Sequence, residues 1–133
     1  GYALDVIEPG RAGGALFDRI PFLISFDMAG RFLSIRALWE PDIPAASAEH
    51  AMFATADNWN REKYFPTVYT ATTPQGTLGV YADFVVDTEP GLSNDQLRDA
   101  ISSGISTGIA AMEYVKDSAS EALGWVNPDS DER

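Results

Sequence analysis

Over two neighbouring stretches of this chain hydrophobic residues recur at every second position, the spacing of strands with one buried face. Phe22, Ile24 and Phe26 share one face of the first stretch, with Leu23, Ser25 and Asp27 opposite. Asp27 to Gly30 reads as a turn, after which Leu33, Ile35, Ala37 and Trp39 alternate with Phe32, Ser34, Arg36 and Leu38. The two runs predict a hairpin. Upstream, YALDVIE (2–8) alternates enough for a strand. PGRAGG (9–14) is a loop by its Pro and Gly content, and ALFDRIPFLISF is read as one run leading into the hairpin.

Beyond Trp39 the period changes. Pro41 and Pro44 stop the strand, and Ala45, Ala48, Met52, Ala56 and Trp59 then recur at spacings of three and four, as one face of a helix does. Small residues dominate this stripe, so the helix can lie close to what it packs on. Its end is expected near Asn60. Pro66 starts an extended run, PTVYTATT, and TPQG (73–76) has turn chemistry. The returning strand carries Leu78, Val80, Ala82, Phe84 and Val86 on one face, with Tyr81, Asp83 and Asp87 on the other. Ser93 and Gln96 fit a capping box, after which Leu97, Ile101, Gly104, Ile105, Gly108, Met112 and Val115 continue at helical spacing towards a stop at Gly124. Residues 126–133 read as a polar C-terminal tail. The order β-β-β-α-β-β-α predicts an α+β fold: a mainly antiparallel sheet covered on one face by helices.

Composition adds limits. At 133 residues, with 45% hydrophobic and 22% charged residues, residues 1–133 read as a single folded domain. Cysteine is absent, which removes disulfides, thiol nucleophiles and thiolate zinc sites, and permits a reducing compartment. Apolar runs break well before the ~20 residues of a membrane span, and no basic-then-apolar leader opens the sequence. The expected location is cytoplasmic. A net charge of −11 repels nucleic acid and anionic lipid alike, so neither is an expected partner. Residues 83–133 hold eleven acids against three bases, which marks a solvated acidic face or tail.

Few motifs suggest catalysis. GISTG (104–108) matches the G-x-S-x-G nucleophile elbow, but Ser106 falls inside a predicted helix with its glycines on the apolar stripe, and His50 is the only available histidine base. The glycines are better read as allowing close approach of the helix to the sheet. Asp83, Asp87 and Glu89 are the best metal candidates, yet Asp83 and Asp87 stand ~13 Å apart along one strand. A hydrolase using Ser106, or a metal enzyme at these carboxylates, is the lesser alternative. No catalytic residue, cofactor or metal site is expected.

NWNREKYFPTVY (58–69) holds the remaining chemistry. Trp59 closes the apolar stripe, Asn60 can take the left-handed conformation that ends helices, and Arg61 and Lys63 suit exposed C-terminal carbonyls. Most of the stretch is therefore a helix-to-strand joint. Trp59 and Tyr64, clustered with two cations in an acidic chain, are not explained by that role alone. Trp59, Arg61, Lys63 and Tyr64 are the candidate partner-binding residues, with Trp59 buried and the other three at its exposed rim.

WNREKYFPTVY, GVYADFVVDTEPGLSNDQL and GISTGI resemble the YbjN family of bacterial sensory-transduction-regulator-like domains, in particular its actinobacterial members, from about Gly13 to Tyr114. That family is similar in fold to type III secretion chaperones, small α+β proteins that usually dimerise and hold partner polypeptides. The resemblance implies a non-enzymatic, chaperone-like or regulatory module binding a protein or peptide partner, with a homodimer among the expected assemblies; a small-molecule sensor domain is the alternative. It carries over no catalytic residue. The family normally places a helix before the first strand, whereas this chain opens at GYALDVIE without Met, as an excised domain or one with a tag remnant at Gly1 would. Late in the last helix, where relatives often pair aromatics, stand Ala110, Ala111 and Met112.

Overall fold

The computed structural model describes residues 5–8 (backbone only), 12–26, 31–63 and 65–128. The expected turn at Asp27 to Gly30, Tyr64, and the tail from residue 129 lie outside the described residues. Six strands form one antiparallel sheet: β1 (Asp5–Glu8), β2 (Ala12–Phe17), β3 (Ile20–Phe26), β4 (Phe32–Trp39), β5 (Thr67–Thr72) and β6 (Leu78–Asp87). Their order across the sheet is β1-β2-β3-β4-β6-β5. Helix α1 (Ala45–Glu62) connects β4 to β5, and α2 (Asn94–Leu123) follows β6.

The α+β architecture expected from the alternating runs is present, with one strand more than the pattern indicated. β2 covers the second half of the Gly-rich stretch assigned to a loop and pairs with β3 from Ala12↔Ser25 to Phe17↔Ile20. A two-residue turn joins them, with Asp18 at φ 50° and Arg19 at φ 65°. Such turns favour Asn-Gly or Asp-Gly because both central residues need positive φ. Arg19 has no such preference and gave no turn signal, so the hairpin was hidden in one continuous run.

The alternation sorts the side chains as expected. Leu33, Ile35, Ala37 and Trp39 of β4 are buried, as are Leu78, Val80 and Ala82 of β6. The helices cover that face. α1 buries Ala45, Ala48, Met52, Thr55, Ala56 and Trp59; α2 buries Gly104, Gly108, Ala111, Met112, Val115 and Ala119. The second helix begins at the expected capping box: Gln96 N–H donates to Ser93 Oγ at 3.1 Å and Ser93 N–H to Gln96 Oε1 at 2.8 Å. It stops at Gly124, whose φ of 67° is the left-handed conformation that suits glycine. Among the described residues no helix is long and apolar enough to cross a membrane.

Candidate functional site

The joint between α1 and β5 is built around Trp59. Its indole is 8% exposed, and its Nε1–H donates to the Pro66 carbonyl at 3.0 Å, so burial leaves no unsatisfied polar atom. The ring meets Tyr114 of α2 at a centroid distance of 5.5 Å, and Lys63 Nζ lies 5.9 Å from its centroid. Arg61 is exposed, pairs along the helix with Asp57 at 3.4 Å and donates to Oδ1 of the Asn58 side chain. Thus Lys63 stands against Trp59 at the joint, whereas Arg61, two residues beyond Trp59 on the helix, is turned back to Asp57 and Asn58; Tyr64 lies outside the described residues.

Asn60 differs from expectation. The helix runs on to Glu62 and is capped by Lys63 in extended conformation, so Asn60 is an ordinary helical residue rather than a left-handed terminator. Its side chain is occupied elsewhere. Asn60 Nδ2 donates to the Val68 carbonyl at 2.7 Å, and Val68 N–H donates to Asn60 Oδ1 at 2.9 Å. One amide thus satisfies both outward backbone groups of an edge-strand residue, as a neighbouring strand would.

Two aromatics complete the joint that residue reading passed over. Phe65 is 52% exposed and packs edge-on against Phe84 at 5.2 Å. Tyr114, 37% exposed, stands over Trp59. Phe65 lies inside the conspicuous stretch, directly before a proline that breaks both neighbouring periods; an aromatic at such a break belongs to neither stripe. Tyr114 gave no comparable signal, being a half-exposed position on a long helix.

The other candidate groups are engaged singly or lie apart. Asp83 is held by Arg36 through Nε at 2.7 Å and Nη2 at 3.1 Å, and it accepts from Tyr69 Oη at 3.3 Å. Arg36 lies over both the Tyr69 and Tyr81 rings, 5.8 and 5.9 Å from their centroids, which are 5.4 Å from each other. This cluster occupies the sheet face opposite the helices. The hydrogen bond that Arg36 donates to Asp83 raises the Arg36 pKa, and burial raises those of Tyr69 and Tyr81. Asp87 and Glu89 converge instead on Arg31, at 3.5 and 2.9 Å. Among the described residues no three His, Asp or Glu side chains are grouped to hold a metal ion. Ser106 is exposed in the middle of α2, not on a strand-to-helix turn, and His50 is exposed on α1. The elbow geometry is absent from that motif.

The family model for YbjN, described as "Putative bacterial sensory transduction regulator", matches residues 15–116. A solved structure, "Crystal structure of YbjN, a putative transcription regulator from E. coli", is similar in fold, with a TM-score of 0.68 at 12% identity. The match covers 96% of this chain and 87% of that one. No curated protein matches the chain at a significant level. With the family model spanning most of its length, and with the same strand and helix framework in a solved relative, the chain belongs to the YbjN family.

Proposed function

We propose that this chain is a non-catalytic regulatory module that works by holding a polypeptide partner at the α1–β5 joint. One observation carries this reading: Phe65 is half-exposed on Phe84 and directly precedes Pro66, whose carbonyl accepts from the buried Trp59, while the Lys63 ammonium stands against the Trp59 ring. Aromatic anchors on a rigid base, rimmed by cations, are the composition of protein-binding hot spots. In a chain of net charge −11, that rim suits a partner segment with apolar and acidic side chains. The description of the family as a regulator supports a binding role over catalysis. Its "sensory" wording favours the second reading, a small-molecule sensor.

A pull-down from a lysate of the source organism, run beside a thermal-shift screen of small molecules, separates the two. Enrichment of a protein that is lost with Phe65→Ala supports the partner-binding module. No enrichment, together with a ligand that raises the melting temperature by several degrees, supports the sensor.

A further inference from the structure

Both helices cover one face of the sheet, and among the described residues no helix packs on the other. On that open face one row of side chains crosses five strands. Leu16 pairs with Pro21, Tyr81 pairs with Leu38 and Tyr69, and the Phe22↔Ala37 register continued by one residue sets Pro21 beside Leu38. Every member of the row is apolar or aromatic. Leu16 is 65% exposed and Pro21 is exposed, while Leu38, Tyr81 and Tyr69 are half-buried. Leu23, half-buried two residues along β3 from Pro21, widens the row at its aliphatic end. An exposed apolar patch with a polar border marks an interaction surface.

The border is charged, and its balance is negative. Beside Leu23, Arg36 is neutralised by Asp83 through two hydrogen bonds. At the opposite border Gly79 carries no side chain and Tyr81 reclines over it, so that a Cβ there would stand 2.4 Å from the phenol oxygen. The Tyr81 ring therefore lies along its strand, and its hydroxyl donates to Glu40. Among the described residues no cation pairs with Glu40, which leaves one uncompensated carboxylate at the edge of the row.

We propose that this row holds an amphipathic helix of a partner protein, its apolar side on Leu16, Pro21, Leu38 and Tyr81 and a lysine or arginine on its flank paired with Glu40. A helix is the element that fits. Strands β3, β4 and β6 each pair on both sides, so an extended segment laid on this face would find no backbone partner, whereas a helix satisfies its own backbone groups. From β2 to β5 the row spans four inter-strand gaps, ~19 Å, the length of about thirteen helical residues. The cation follows from charge complementarity: Arg36 is balanced by Asp83, Glu40 is not balanced, and the chain carries −11 overall. This face lies opposite the side that carries Trp59 and Phe65, so failure of capture at the joint leaves the docking of the helix standing, and the reverse.

Fluorescence anisotropy with a labelled peptide of about thirteen residues, leucine on one helical face and lysine on the other, reads the docking, and amide shift mapping locates it. The expected result is binding about tenfold tighter than that of a peptide of the same composition in scrambled order, with shifts centred on Leu16, Leu38 and Tyr81. Leu16→Ser, at an exposed position, is expected to weaken binding about tenfold through lost apolar contact. Glu40→Gln keeps an acceptor for the Tyr81 hydroxyl and removes the charge; it is expected to weaken binding about two- to fivefold at low salt and to lose that effect at high salt. Phe65→Ala is expected to leave binding unchanged. Equal binding of the scrambled peptide, which is attraction to net charge alone, would overturn the proposal. So would tighter binding of a peptide with glutamate in place of lysine, shifts confined to the helix-covered side, or no binding.

Discussion

At the scale of single residues, Trp59 and Asn60 are neighbours in sequence with different duties, and each can be separated by substitution. Trp59 fills the space between α1, α2 and the start of β5 and satisfies its own N–H on Pro66. Trp59→Ala is expected to cost about 3–5 kcal/mol, the range for emptying a buried aromatic site. Arg61→Ala and Lys63→Ala are each expected to change stability by no more than about 0.5–1 kcal/mol, since exposed charges at a helix C-terminus contribute little. Thermal melts check the set: near-equal effects for all three would contradict the division between buried base and exposed rim. Asn60→Ala removes two hydrogen bonds at a strand edge and is expected to cost about 1–3 kcal/mol. Asn60→Asp keeps the acceptor for Val68 N–H but loses the donor to its carbonyl, and should fall between wild type and alanine. Amide exchange at Val68 would follow the same order.

At the scale of elements, the two glycines of α2 show why sequence reading succeeded where it did. A Cβ on Gly108 would stand 2.8 Å from the Phe22 ring and 3.3 Å from Ala37 Cβ; one on Gly104 would stand 2.7 Å from Ile35 Cδ1. The helix backbone thus rests on β3 and β4 through positions that tolerate no side chain, as the glycines' place on the apolar stripe suggested. Gly108→Leu is expected to destabilise by about 1–3 kcal/mol through overpacking, despite leucine's better helix propensity. A neutral or stabilised variant in a denaturant titration would contradict the packing. Elements with a strong period and a recognisable cap, such as α2 and β4, were legible because burial follows spacing directly. β2 was not, because its glycines carry no pattern and the Asp18–Arg19 turn lacks the usual residues. The duty of Asn60 was hidden for another reason: its partner is a backbone eight residues away, and sequence position alone gives no sign of an edge. The aromatic rim was legible only in part, since Phe65 lies in the conspicuous stretch and Tyr114 comes from a distant helix.

At the scale of the whole molecule, one sheet face is sealed by helices and the other carries a polar and aromatic cluster whose protonation bears on stability. Burial, above all, lifts the Tyr69 and Tyr81 phenols above their ordinary 10.0, with the negative charges of Asp83 and Glu40 adding to it and Arg36 opposing. The folded chain therefore holds protons that the unfolded chain releases. Their contribution to stability is complete below pH ~10 and is lost as pH rises through the folded values. Melts between about pH 9 and 11 are expected to show a fall in stability that is shallower in the Tyr69→Phe, Tyr81→Phe double variant; an equal slope would place the alkaline loss elsewhere. The helix-covered side also presents a half-exposed aromatic contact, Phe65 resting on Phe84 beside the α1–β5 joint. The most direct measurement is a paired one on Phe65→Ala: its melting temperature, and its capture of the protein that the unaltered chain enriches from lysate. A melting temperature close to that of the unaltered chain, together with loss of capture, is expected of a surface that binds a partner. A large loss of stability, or capture that survives unchanged, would contradict the assignment of the joint as the binding site.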